Sequence, residues 1–344
     1  MLLDALRGVA AFAVVWGHLG DTWGHPVGQL FILAVDFFFI LSGFVMAHAY
    51  KHKLASTMSP PAFFRVRIVR LYPLLVFGAV LGALAMVTLM GGDQGYDGWR
   101  IAASAGLAIL ALPTFLIHAT AEAFPVNPPA WSLFFELIAN AVYGFISRFL
   151  TRNRLIFLTL LAAVMLVADA LHRGTIESGW AQTELAGGLI RVFFGFTCGL
   201  LLYEIRPKWR LSQVWGWALM AALAAVLFVP IHGWAKAQLV TAVFIMPAIV
   251  WFGSAAESPG ALGKFSLFLG ALSYPLYITH RPILEMTTAV FQRFAPDVDY
   301  RIWEAVQIVL FVAFAWAALK LFDEPVRAWL QKIMRRPPPR PATV

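Results

Sequence analysis

Ten separate apolar runs constrain this chain more than any single motif in it. They fall near residues 3–20, 28–49, 70–90, 130–148, 155–171, 185–203, 211–229, 237–254, 265–290 and 303–322. A stretch of about 20 apolar residues crosses a bilayer as a helix, because a helix satisfies its backbone polar groups internally. Composition agrees: 60% of the 344 residues are hydrophobic and 13% are charged, and the mean hydropathy is +0.76. The expected fold is all-α, a polytopic transmembrane helical bundle over residues 1–330. A short basic, proline-rich cytoplasmic tail follows over 331–344, and no room remains for a separate soluble domain of ordinary size.

Basic residues set the expected orientation. Lys51, Lys53, Arg65 and Arg67 lie between the second and third runs, Arg148, Arg152 and Arg154 after the fourth, and Arg206, Lys208 and Arg210 after the sixth. The alternate connections hold Arg100, Arg173 and Lys236 singly, and Arg293 and Arg301 beside Asp297 and Asp299 complete that side. The positive-inside rule then puts both termini in the cytoplasm with about ten spans. An eleventh apolar run, 101–117, would invert every later loop if it crossed, so it is expected to be re-entrant, helped by Pro113. The net charge of +8 is in this reading a topology signal and gives no patch for nucleic acid. The one cysteine, Cys198, rules out an intramolecular disulfide and a cysteine-based metal site, and reads as a small core thiol. Asp4 near the start, and the lack of a small-x-small site after His18, read the first run as a retained helix and not a cleaved signal.

Charges inside the runs carry the functional argument, because an ionisable side chain in a span marks a site by default. In the first run Arg7 and His18 lie roughly 20° apart around the helix and about 16 Å apart along it. Asp4 is one turn before Arg7 and placed to pair with it. The second run carries Asp36, which needs a partner or a cavity. Arg65, Arg67 and Arg70 cluster at the mouth of the third, with planar geometry suited to phosphates or to lipid headgroups. In the fourth, Ser132, Glu136, Asn140 and Tyr143 form one polar stripe behind Trp131, which reads as an interfacial aromatic. Glu136 and His18 are expected about a turn below the same outer surface. In the ninth, Ser273, Tyr277 and His280 share a face, and Pro275 and Pro282 bracket the last two and loosen the helix. The runs from 155 to 254 read as packing and lipid-facing material, with Arg191 the one buried-looking charge.

Several stretches together resemble the membrane-bound acyltransferase family 3, bacterial O-acyltransferases of surface polysaccharides and related glycans. They are Leu3-Asp4-Ala5-Leu6-Arg7 with His18, Phe38-Phe39-Ile40-Leu41-Ser42-Gly43-Phe44, Arg67-Ile68-Val69-Arg70-Leu71-Tyr72-Pro73 and Trp131-Ser132-Leu133-Phe134-Phe135-Glu136. Leu272-Ser273-Tyr274-Pro275-Leu276-Tyr277-Ile278-Thr279-His280 and Glu324-Pro325-Val326-Arg327 complete the set in the family's order. Two departures fall late: Ile278-Thr279 replaces the usual bulky aliphatic-Trp pair, and Arg281 stands where a tryptophan is common. No fused esterase-like domain is expected.

The resemblance implies an O-acyltransferase of the bacterial inner membrane with no bound cofactor. Its donor would be a cytoplasmic acyl-CoA, acetyl-CoA first among them. Its acceptor would be a hydroxyl of a cell-surface or lipid-linked carbohydrate. Membrane lipid and envelope-polysaccharide enzymes are the further partners. His18 would act as general base or acyl relay, with Glu136 orienting it and Asp36 competing for that role. Arg65, Arg67 and Arg70 would hold the donor's phosphates, and Arg7 would bind the donor or pair with Asp4. Ser132, Tyr277 and His280 are the remaining substrate-binding candidates. The alternative is a transporter or flippase of a lipid-linked sugar or small anion, using the same polar line as a path.

Overall fold

The computed structural model describes residues 2–25, 27–90, 97–228, 235–257 and 260–334. The expected tail lies outside the described residues from 335 onward. Thirteen α-helices follow one another among the described residues. These are α1 (Leu2–Trp23), α2 (Ala34–Ser56), α3 (Pro60–Met90), α4 (Gly98–Ile109), α5 (Ala130–Ile146), α6 (Arg152–Arg173) and α7 (Leu185–Glu204). Then come α8 (Gln213–Phe228), α9 (Ala235–Val240), α10 (Met246–Ala255), α11 (Gly260–Phe294), α12 (Tyr300–Ala317) and α13 (Glu324–Met334). Single π-turns, Thr241–Ile245 and Ala318–Asp323, join α9 to α10 and α12 to α13 into two continuous rods. No strand forms among the described residues; only two isolated bridges occur.

Counting each rod once, nine helices among the described residues are long and apolar enough to cross a membrane. The tenth expected run is α8, with 16 residues, about 24 Å long by its rise. The all-α polytopic bundle is therefore as the apolar runs require.

Burial sorts the helices into a centre and a rim. In α2, 78% of the most apolar window is buried, against 22% in α6. That is why α2 is apolar all round, whereas α6 leaves Phe157, Leu160 and Val164 exposed to the surrounding medium. The broadest pairings are α1 with α11 and α2 with α7. The α2–α7 crossing depends on glycine: a Cβ on Gly43 would fall on the Phe196 carbonyl oxygen, and one on Gly199 on that of Ile40. Within 155–254, α6 is the lipid-facing part and α7 the packing part. The latter is a core helix, and its buried Arg191 reaches α2.

The segment 101–117 turns back within the bundle. Helix α4 is only 12 residues long, and two residues past its end stands Ala111, a non-glycine residue at φ 56°. The chain then folds over α4, with Ser104 and Thr114 sharing a hydroxyl contact at 3.1 Å. Val126 returns to the same apolar cluster as Met86 and Ile101. Backbone bonds pin this strap to the stretch before α7, Ala123 N–H donating to Trp180 O and Gln182 N–H to Ala121 O, both at 2.8 Å.

Proline explains how the strap reaches α11. Pro282 has no N–H, so the Ile278 carbonyl loses its donor one turn back. The Asn127 side-chain amide supplies the replacement at 3.1 Å. Gly78 of α3 lies directly over this bond, where a Cβ would strike the Asn127 amide nitrogen.

Candidate active site

Helix α1 lines two cavities, one with Arg7 and one with His18. The first, about 190 Å3, lies among α1, α2, α3, α5 and α11, with Arg7, Ser42, Arg67, Arg70, Glu136 and Tyr277 in its wall. Glu136 accepts from Arg67 Nη2 at 2.9 Å and from Ser42 Oγ at 2.8 Å. Asn140 stays on the same helix, donating to the Glu136 carbonyl at 2.7 Å. Tyr143 leaves the stripe to pack edge-on against Phe63. Arg70 faces Asp323 at 3.9 Å, and Arg327 holds the same carboxylate at 2.9 Å. Asp323 closes the π-turn after α12 and is fully buried. Arg7 pairs with Asp4 at 3.5 Å, as the helical spacing requires.

The second cavity, about 280 Å3, holds His18, Asp21, Glu122, Glu177, Arg281 and Trp180 among its lining. The imidazole of His18 stacks on that of His280, centroids 5.3 Å apart and planes 22° apart. Its Nδ1 faces Asp21 at 3.7 Å. His280 is buried and turns Nδ1 to the Tyr277 carbonyl at 2.7 Å. A carbonyl only accepts, so Nδ1 carries the proton and Nε2 is left with a lone pair and no partner among the described residues. Glu122 stands 3.5 Å from Arg281. Burial pushes its carboxyl up to about 7, although Arg281 opposes the shift. Glu177 is raised too, again by burial first and against Arg191.

Tyr277 belongs to both cavities. Its hydroxyl meets that of Ser132 at 2.8 Å, and Phe38 stands edge-on to its ring at 5.5 Å. These groups form a septum between the two hollows.

Asp36 is spent elsewhere. Its two oxygens take Arg191 Nη2 at 2.7 Å and Nε at 3.1 Å, with the aspartate 1% and the arginine 2% exposed. The guanidinium also donates to Ser178 O and Ile32 O and lies over the Trp131 ring. Trp131 is accordingly buried within the bundle.

The geometry bears on four of the expected site assignments. Glu136 serves the arginine cluster and not His18, because α5 turns it toward Arg67; Asp21 is the carboxylate beside His18. Asp36 is a structural tie, since Arg191 satisfies both of its oxygens. Arg65 is exposed and lines neither cavity. Arg67 and Arg70 each already face a carboxylate. Ser132, Tyr277 and His280 do converge where α5 and α11 meet α1. Asp21, Glu122, Glu177 and Trp180 were not singled out from the sequence. Asp21 had a signal, lying one helical turn beyond His18; the others come from loops with no period to read.

Fold and cavities define a multi-pass membrane protein with ionisable side chains lining cavities inside the bundle. The family model of an acyltransferase domain, that of acyltransferase family 3, matches residues 2–320, and the chain belongs to this family. It is 38% identical over 181 residues to a Rhizobium radiobacter protein, "Protein 2 in picA locus", the match covering 49% of this chain and 94% of that protein. No solved structure matches. The chain is a membrane O-acyltransferase, with the acyl donor and carbohydrate acceptor that membership implies in general. Membership decides for an enzyme over a transporter.

Proposed function

We propose that the protein moves an acyl group, acetyl first among the candidates, from cytoplasmic acyl-CoA to a hydroxyl of a cell-surface or lipid-linked carbohydrate. One observation carries this reading: Arg7 and His18, on one helix, line two different cavities that abut at Tyr277. A cationic hollow suits the donor, and a hollow with a histidine, carboxylates and tryptophans suits a polyol. The positive-inside distribution supports a cytoplasmic donor side, both termini cytoplasmic and insertion in a bacterial inner membrane.

In this reading the donor's thioester reaches the septum from the Arg7 side and the acceptor hydroxyl enters beside His18. Asp21 orients the His18 ring through Nδ1, leaving Nε2 as the base. The hydroxyl oxygen attacks the thioester carbonyl as Nε2 takes its proton. The carbon–sulfur bond then breaks and the imidazolium returns the proton to the leaving thiolate. The Tyr277 and Ser132 hydroxyls, standing in the septum, supply donors for the oxyanion that forms between these events. His280, stacked behind His18, holds the plane of the ring.

Membranes containing the protein, supplied with labelled acetyl-CoA and a native glycan extract, test this directly. Label in a carbohydrate fraction, absent from membranes without the protein, is the expected result. Label confined to lipid or to free acetate contradicts it.

A further inference from the structure

A third hollow, about 990 Å3, opens at the N-terminal end of α1. It lies between the first turns of α1, His48 of α2, the end of α10 and the strap 205–212 that follows α7. Its cationic lining is Arg7, Arg206, Lys208 and Arg210. Of the three carboxylates in the wall, Glu204 is held by Lys51 at 2.5 Å and Asp4 faces Arg7 at 3.5 Å, while Glu257 lies beside the strap. No ion pair forms to Arg206, Lys208 or Arg210 among the described residues. The strap is a built element and not a loose loop. Leu211 N–H donates to Ala255 O and Glu257 N–H to Leu211 O, both at 3.0 Å, and the Trp251 indole donates to Ile205 O at 2.9 Å. Trp209 is set edge-on against Trp251 at 5.6 Å.

Two residues, Arg7 and Val45, line both this hollow and the cavity of about 190 Å3 behind it. The large basic hollow is therefore the antechamber of the smaller one, with Arg7 at the throat. In the smaller cavity the charges of Arg67 and Arg70 are opposed by Glu136 and Asp323. In the antechamber Lys208 and Arg210 form no ion pair among the described residues, although Glu257 shares the wall with them.

We propose that the antechamber seats the phosphorylated end of the acyl donor, its diphosphate and ribose phosphate, with Lys208 and Arg210 as the phosphate ligands. The inner cavity then takes the uncharged acyl-pantetheine arm, whose amide carbonyl oxygens accept from Arg67 and Arg70. This rests on acyl-CoA being the donor. It replaces the expectation that the arginines at the start of α3 grip the phosphates. Their carboxylate partners would have to be displaced first, whereas the strap presents cations whose counter-charge the ligand would supply. The hollow is also of the size that ligands of this class occupy.

The test is equilibrium binding of CoA, 3′-dephospho-CoA and pantetheine to the full-length protein in a non-ionic detergent, for the native chain and for K208Q/R210Q. The expected result is a loss of CoA affinity of about tenfold or more in the variant, a smaller gap between CoA and 3′-dephospho-CoA, and unchanged pantetheine binding. An unchanged melting temperature in the variant confirms that the fold is intact. Unchanged CoA affinity overturns the proposal. If the variant keeps its CoA affinity but binds phosphatidylglycerol nanodiscs less well than the native chain, the strap holds lipid phosphate, and the proposal fails in that way. A native chain that binds neither CoA nor pantetheine is a different pattern, and it removes the acyl-CoA reading itself.

Discussion

The Tyr277 hydroxyl meets the Ser132 hydroxyl at 2.8 Å in the wall that separates the Arg7 cavity from the His18 cavity. Acyl transfer across this wall requires the thioester to pass it while water does not. Tyr277→Ala therefore raises acceptor-independent hydrolysis of acetyl-CoA several-fold and lowers transfer to the acceptor. Tyr277→Phe keeps the ring and the seal, loses the hydroxyl, and slows transfer by about 10²-fold if that hydroxyl serves the oxyanion. Release of free CoA, measured with and without acceptor, separates the two effects.

Asp36 and Arg191 form a buried pair that ties α2 to α7, and Arg191 extends the tie to Ser178, Ile32 and Trp131. Removing one partner leaves the other charge buried and alone, a cost of about 3–5 kcal/mol. Asp36→Asn and Arg191→Met are each expected to lower the melting temperature sharply in detergent. The double variant, with no charge stranded, melts above either single one.

Glu122 gives the His18 cavity a pH-dependent charge. Its carboxyl, at about 7 in the folded protein against 4.5 for the ordinary group, binds more protons folded than unfolded between those values. Stability contributed by the protonated form is present below pH 4.5 and declines as pH rises toward 7. Arg281 and Glu285 are the charged neighbours that oppose and reinforce this shift. Melting curves from pH 4.5 to 7.5 should show a decline in the native chain that Glu122→Gln flattens.

Asp21 and Glu136 have different roles in this account. Asp21→Asn weakens the orientation of His18 and lowers kcat by about tenfold, in line with one charge-assisted hydrogen bond. Glu136→Gln releases Arg67 and acts on the donor, raising or lowering the acetyl-CoA KM with little effect on kcat. Steady-state kinetics with varied acetyl-CoA distinguish them. Equal kcat losses would contradict the assignment.

The spans were legible because bilayer thickness and backbone satisfaction fix both the length and the apolarity of a crossing helix. The axial relation of Arg7 to His18 was legible for the same reason, being internal to one helix. What faces what across helices was not. Glu136 shares a stripe with Ser132, yet the rotation of α5 against α3 decides that it meets Arg67. Asp36 and Arg191 are 155 positions apart, and nothing local links them. Arg206, Lys208 and Arg210 read as a topology signal, and only the strap's anchoring to α10 turns them toward a hollow. Glu122 lies in a strap with no helical period, so its place beside His18 has no sequence signature.

The central claim is that His18 is the base in a compartment separate from the donor's charged end. Single-turnover acyl transfer by His18→Ala, with acetyl-CoA binding measured on the same preparation, tests it most directly. The account predicts a loss of transfer of about 10²-fold or more with donor affinity within a factor of about two of the native value. Transfer at the native rate would contradict it, and so would a loss of transfer that merely follows a loss of donor binding.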